Sequence, residues 1–309
     1  MKNKVIAIMG PTAVGKTKLS IEIAKRFNGE IISGDSMQVY KGFDIGTAKI
    51  KPSEMQGITH HMLDIREACE EISAADFKKY VQKYINDITA RGNLPIIVGG
   101  SGLYIQAALY DYNFSEIKRD HTITKEMEET IESEGIMPLY NRLIEIDSEQ
   151  AKKIHPNNHR RVIRALEIYE STGMTMSEYK ENQAVESPYE PILLGLDMDR
   201  ELLYRRINER VDHMMTEGLL DEVRDLYVKG YENCQSMKAI GYKEFIPYFK
   251  NEQSLEVTIE LLKRNSRRYA KRQLTWFRNK MDLTWFTMTP ETIDERFAII
   301  LDELAGILK

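Results

Sequence analysis

Val5-Ile6-Ala7-Ile8-Met9-Gly10-Pro11-Thr12-Ala13-Val14-Gly15-Lys16-Thr17 decides how the rest of the chain reads. The apolar residues Val5 to Met9 form a short run with the look of a buried strand. Gly10 to Thr17 then fits G-x-x-x-x-G-K-[ST] without a mismatch. Behind it, Leu19, Ile23 and Phe27 recur at helical spacing, so the spacing predicts a helix over 17–27. Strand, glycine-rich loop and helix together make a phosphate cradle. Glycines let successive N–H groups point inward at phosphate oxygens. The helix N-terminus adds partial positive charge. The expected phosphate-binding set is Gly10, Pro11, Thr12, Ala13, Val14, Gly15, Lys16 and Thr17. Lys16 supplies a mobile cation and the Thr17 hydroxyl an expected ligand to Mg²⁺. The loop implies two or more linked phosphates. It leaves open whether they belong to ATP, GTP or another molecule.

Beyond this loop, strand patterns at 30–33 and 94–98 alternate with a helical pattern at 74–88. Such alternation predicts βαβ units and a parallel sheet. From about 120 to 180 only helical patterns occur, strongest at 155–169 with Gly173 as a stop signal. A returning strand is expected at 192–196 and a last one at 283–287. Long helices are expected at 199–228 and 255–278, with a helical tail from Glu291. The expected organisation is an α/β core over 1–117, a helical insertion over 118–187 and a core continuation over 188–309.

Composition bounds the partners. Lys and Arg total 43 against 48 Asp and Glu, a net charge of −5. An all-over basic binder of the histone or ribosomal type is thereby excluded. The two cysteines, Cys69 and Cys234, lack metal-ligand spacing and are expected to be incidental thiols. The N-terminal apolar run stops short of the ~7–15 residues of a secretory leader. No apolar run approaches the ~20 residues a bilayer requires. A cytoplasmic protein away from membranes is expected.

Asp35 follows the second strand, at the sheet edge where the phosphate loop opens. It is a candidate metal-shell carboxylate or general base. The strand at 94–98 ends in Gly99-Gly100, so the acid of an ordinary ATPase is missing there. Asp35-Ser36-Met37-Gln38-Val39-Tyr40-Lys41-Gly42-Phe43-Asp44-Ile45-Gly46-Thr47-Ala48-Lys49 is no general phosphate-loop feature. It resembles the signature of the tRNA dimethylallyltransferases, the tRNA isopentenyltransferase family. His60–Asp64, Gly99–Tyr104, Arg161–Glu167, Ala239–Glu244 and Lys271–Trp276 are similar to further segments of that family, in the family's order.

The resemblance implies a P-loop kinase-like parallel-sheet core, a helical insertion and long C-terminal helices. It implies transfer of a dimethylallyl group from dimethylallyl diphosphate to N6 of the adenosine 3′ of the anticodon. The tRNAs concerned read codons beginning with U, and diphosphate is released. Asp35 then matches the catalytic aspartate and Ser101 a site hydroxyl where the family commonly has Thr. Arg210 matches a diphosphate ligand, and Arg206 lies one helical turn before it. Asp35, Ser36, Met37 and Gln38 match a tRNA-contacting stretch, as do Arg160, Arg161, Val162, Ile163 and Arg164. Gln38 can offer its amide to an adenine edge. Mg²⁺ is the expected cofactor, the tRNA anticodon stem-loop the expected partner, and a monomer the expected state.

Two cation-rich segments support an RNA partner. Residues 263–280 hold eight Lys or Arg and no acid, with Tyr269, Trp276 and Phe277 interleaved. Lys263, Arg264, Arg267, Arg268, Lys271 and Arg272 make an expected cationic stripe for a phosphate backbone. Lys152, Lys153, Arg160, Arg161 and Arg164 form a second group. Adjacent His60 and His61 are expected to be structural or tRNA-facing instead of metal ligands. Two other readings compete: an ATP-dependent small-molecule kinase, and an RNA-binding protein that only senses nucleotide.

Overall fold

A computed structural model describes residues 2–110, 121–181 and 186–308. Contacts divide the chain into two compact units, Met1–Tyr110 with Ser187–Lys309, and Asp111–Glu186. The expected boundary at 118 lies outside the described residues.

The first unit is built on β1 (Lys4–Met9), β2 (Gly29–Ser33), β3 (His60–His61), β4 (Leu94–Gly99), β5 (Glu190–Asp197) and β6 (Thr284–Thr287). They form one parallel sheet in the order β3-β2-β4-β1-β5-β6. β1 sits between β4 and β5, with Met9 beside Gly99 and Gly195. A strand covered on both faces needs apolar side chains on both, which explains its unbroken Val5–Met9 run. Val5, Ala7 and Met9 face one core, while Ile6 and Ile8 face the other. This is the two-residue period of a strand.

Helices cover both faces. The first unit carries α1 (Lys16–Arg26), α2 (Ala74–Ala90) and α3 (Gly102–Leu109). The second unit holds α4 (His121–Glu134), α5 (Met137–Ile146), α6 (Ser148–Lys153), α7 (His159–Thr172) and α8 (Met176–Glu181). The first unit resumes with α9 (Arg200–Thr216), α10 (Leu219–Val228), α11 (Ile246–Phe249), α12 (Leu255–Lys280) and α13 (Ile293–Leu308). α1, α9 and α13 contribute to the core around Ile6 and Ile8; α2, α3 and α10 contribute to the other. Leu139, Leu143, Val162 and Leu166 anchor the separate core of the second unit.

Several expectations are corrected. The single helix expected over 199–228 is two helices, because Gly218 takes a left-handed φ of 101° between α9 and α10. β3 is a two-residue strand on Ile31 and Ile32, too short to show a period. Cys69 and Cys234 are joined by a disulfide with Cα atoms 4.9 Å apart, so they are not separate thiols. The sequence hides this because 165 residues separate them. Beside the bridge, the Ser236 hydroxyl donates to the Ala68 carbonyl at 2.7 Å.

Candidate active site

The strand order puts the carboxyl ends of β2, β4 and β1 side by side. Asp35, Ser101 and the loop after Met9 therefore share one edge, the usual ligand edge of such sheets. At Gly10, a Cβ would lie 2.4 Å from the Leu196 carbonyl oxygen, so only glycine fits beside β5. Gly15 closes the loop as the left-handed residue before α1, at φ 106°.

Cations gather behind this loop. Lys16 Nζ donates to the Gly10 and Pro11 carbonyls at 2.9 and 2.6 Å. Burial, with Arg210 nearby, lowers its pKa to about 7, against the opposing pull of Asp35. Burial also holds Arg210 below the ordinary arginine range, with Asp35 again opposing and Arg206 adding repulsion. Arg206 Nε donates to the Ala13 carbonyl at 3.0 Å and so ties α9 to the loop. Lys16 and Arg210 are thus desolvated like charges that share the Asp35 carboxylate, with Glu217 and Glu54 acting on Arg210 as well. An anion bound here relieves that repulsion.

Asp35 stands just past β2. Burial raises its pKa, while the Met37 N–H, Lys16 and Arg210 pull the other way. The Met37 N–H reaches Oδ1 at 2.8 Å and aims the carboxylate. Ser101, 9% exposed, immediately precedes α3. Its Oγ accepts the Ser36 N–H at 3.3 Å and lies 3.4 Å from Ser36 Oγ. The structure thus brings Lys16, Asp35, Ser36, Ser101 and Arg210 together. Thr17 is exposed at the start of α1. Among the described residues, no group of three or more His, Cys, Asp or Glu forms a metal cage.

Gln38 is engaged inside its own loop. Its Nε2 donates to the Thr47 and Ala48 carbonyls at 3.2 and 3.3 Å. Its Oε1 accepts from Ser33 Oγ at 2.8 Å. A base edge has to exchange with these bonds to meet the amide. Lys49 is equally internal, paired with Asp44 and Asp64 at 2.6 Å each. His61 Nε2 meets the Glu30 carboxylate at 2.7 Å, and His60 Nδ1 the Ile58 carbonyl at 2.9 Å.

The expected cationic stripe on α12 is only partly free. Lys263 pairs with Asp212 at 2.7 Å, and Arg267 donates to Asn208 at 2.5 Å. α12 packs on α9 through this side. Arg264, Arg268, Lys271 and Arg272 remain exposed. In the second unit, Arg160 and Arg161 are exposed, and Arg164 pairs with the buried Glu167 at 3.0 Å. Val162 and Ile163, 0% and 5% exposed, belong to that unit's core. Their expected place on a tRNA-facing surface is corrected for the side chains: the helical turn sends them inward.

Three groups at the site escaped the sequence reading of roles. Gln273 bridges the Thr12 N–H, at 3.2 Å, and the Gly100 carbonyl, at 3.1 Å. Burial, with the Asp35 carboxylate adding to it, pushes the pKa of the Tyr269 phenol up to about 12. Glu222 accepts the N–H groups of Asp44, Ile45 and Gly46 at 3.2, 2.8 and 3.1 Å. Gln273 lay within a recognised motif and Tyr269 within the basic stretch; Glu222 carried no signal.

A doubly covered parallel sheet with a phosphate loop, two half-buried cations and an adjacent carboxylate defines a P-loop enzyme of the α/β class. The chain belongs to the IPP transferase family, whose model matches residues 38–280. It is 63% identical over 309 residues to a tRNA dimethylallyltransferase of Oceanobacillus iheyensis, covering 100% of this chain and 99% of that one. A tRNA dimethylallyltransferase of Geobacillus thermodenitrificans is 55% identical, covering 98% and 96%. Among solved structures, a tRNA isopentenylpyrophosphate transferase from Bacillus halodurans matches with a TM-score of 0.76 and 51% identity, over 99% and 96% of the chains. A eukaryotic dimethylallyltransferase described as acting on tRNA matches with a TM-score of 0.84 and 34% identity, over 98% and 80%.

Proposed function

We propose that this chain transfers the dimethylallyl group of dimethylallyl diphosphate to N6 of the adenosine 3′ of the anticodon, in tRNAs reading codons that begin with U. The observation that carries the chemistry is the desolvated pair Lys16 and Arg210 beside Asp35. In this reading the diphosphate lies in the loop, against Lys16 and Arg210. The N6 nitrogen attacks C1 of the dimethylallyl group, and the C1–O bond breaks with its electron pair leaving on diphosphate. Asp35 accepts the N6 proton. A positioned base contributes roughly 10²–10⁴-fold. Each well-placed donor to the leaving charge contributes about 3 kcal/mol. Ser101 is the catalytic hydroxyl beside this pair.

The donor set fits Mg²⁺ brought in with the diphosphate. Thr17 is exposed at the mouth of the loop, and such ions take most of their ligands from phosphate and water. When bound, the ion would share the charge of the leaving group.

The N6 amine sits in a stacked loop, so the adenosine turns out of its stack to reach Asp35. Ser36, Met37 and Gln38 flank that position. Arg160, Arg161 and Arg164 in the second unit, and Arg264, Arg268, Lys271 and Arg272 on α12, supply cations for the tRNA backbone. Among the described residues, no helix is long and apolar enough to cross a membrane. The kinase reading is disfavoured by β4, which ends in Gly99 where an ordinary ATPase carries an acid. Incubation with undermodified tRNA and dimethylallyl diphosphate labelled in its carbon chain tests the assignment. Label is expected in tRNA without added ATP; ATP turnover with no label in tRNA would overturn it.

A further inference from the structure

The phosphate loop takes positive φ at three residues: 152° at Gly10, 66° at Ala13 and 106° at Gly15. Two of the three are glycines, which adopt such angles freely. Ala13 carries a Cβ, and the left-handed region brings that Cβ close to the following carbonyl oxygen. A conformation of this kind persists only where its surroundings over-determine it. Here the surroundings are side chains from outside the loop. On α9, Arg206 Nε donates to the Ala13 carbonyl at 3.0 Å. On α12, Gln273 Oε1 accepts the neighbouring Thr12 N–H at 3.2 Å. α9 and α12 pack on each other, so both holds come from one support. Inside the loop, Lys16 Nζ takes the Gly10 and Pro11 carbonyls.

We infer that Arg206 is a positioning residue for diphosphate, holding the Ala13 carbonyl so that the loop keeps its left-handed turn. This rests on the reading of the loop as the diphosphate site. Lys16 has three N–H donors and spends two of them on loop carbonyls. A phosphate that draws the ammonium toward itself therefore loosens the hold of Lys16 on the loop. The Arg206 bond to Ala13 does not depend on Lys16. Without it, Ala13 is free to relax to negative φ, and the share of protein with a binding-ready loop falls. Apparent affinity for the anion falls by that same share. Arg206 also brings a positive charge, which acts on Arg210. A test has to separate this charge from the hydrogen bond.

Side-chain geometry allows that separation. In Arg206→Gln the amide nitrogen stands where Nε stood, three carbons out, so the donor stays and the charge goes. In Arg206→Met a methyl stands there, so both go. Each change is made in the parent and in Ala13→Gly, where the left-handed turn costs little. Calorimetry reads the binding of inorganic diphosphate with Mg²⁺. Transfer to tRNA reads kcat and the KM for dimethylallyl diphosphate, and thermal unfolding is followed in parallel. Arg206→Met is expected to weaken diphosphate binding and raise that KM about tenfold with kcat held, the scale of one left-handed residue. Arg206→Gln is expected to recover most of the loss, and so is Arg206→Met combined with Ala13→Gly. Parent-level binding in Arg206→Met, equal losses in the Gln and Met variants, or a Met loss that Ala13→Gly leaves intact would overturn the inference alone. So would a fall in unfolding temperature that Ala13→Gly does not reverse, which marks a general structural role. A parent protein that binds no diphosphate would overturn the reading of the loop and this inference with it.

Discussion

The Glu222 carboxylate accepts the Tyr242 hydroxyl at 2.7 Å. The same carboxylate gathers the backbone N–H groups of Asp44, Ile45 and Gly46. Gly46 lies so close on Tyr242 that a Cβ there would sit 2.6 Å from the ring. Gln38 then ties Thr47 and Ala48 back to Ser33 on β2. The long signature run is therefore held at its far end by α10 and at its near end by its own glutamine.

Glu222→Ala leaves three backbone donors and a phenol without their acceptor. Hydrogen bonds to a charged group contribute about 1.5–3 kcal/mol each, and the partners here share one carboxylate. Denaturant unfolding is expected to show a loss of about 2–4 kcal/mol, with Glu222→Gln recovering part of it. Parent-like stability in Glu222→Ala would contradict the clamp.

Lys16 gives diphosphate binding a pH dependence with a definite sign. Its pKa in the ligand-free protein is about 7, and only the charged form pairs with diphosphate. Bound diphosphate favours the charged form, so binding above neutrality takes up a proton. Affinity is expected to fall as pH rises through 7, by up to about tenfold per unit. Lys16→Arg keeps its charge across this range, and its titration should lack that component. Calorimetry in buffers of differing ionisation heat reads the proton uptake directly.

Asp35 sets the acid limb of the rate profile. Its pKa is raised by burial, so the limb should inflect above the ordinary aspartate value of about 3.9. Asp35→Asn should lower kcat by roughly 10²–10⁴-fold while both substrates still bind. A limb unchanged in position in an active Asp35→Asn variant would remove the residue from the role of base.

Glu30 predicts how the fold responds to acid. Burial works against its ionisation, yet bonds from Arg91, Asn93 and His61 outweigh it and hold the pKa at about 2. A depressed carboxylate contributes stability that is complete above its unfolded value, about 4.3. That contribution is lost as pH falls from there through about 2. Denaturation curves of Glu30→Gln should be flatter across this window than those of the parent.

The parts of this molecule legible in the sequence are those governed by local rules. The run Val5–Thr17 announces strand, loop and helix because period and glycine placement are local. Asp35 is legible for the same reason, as the residue just beyond a short apolar strand. Long-range partners are not. Nothing near Glu222 marks it as the acceptor for residues some 177 positions away. Cys69 and Cys234 look unrelated until the fold joins them. The basic run of α12 is uniform in composition, and composition ignores which face of a helix is buried. Lys263 and Arg267 lie against α9, while Arg264 and Arg268 face outward. Val162 and Ile163 make the same point from the apolar side.

Transfer to tRNA is read directly by nucleoside analysis of undermodified tRNA after incubation with the purified protein, Mg²⁺ and dimethylallyl diphosphate. N6-dimethylallyladenosine is expected next to the anticodon, with diphosphate released in equal amount, and far less product from Asp35→Ala. Unmodified adenosine after incubation with the parent protein would contradict it.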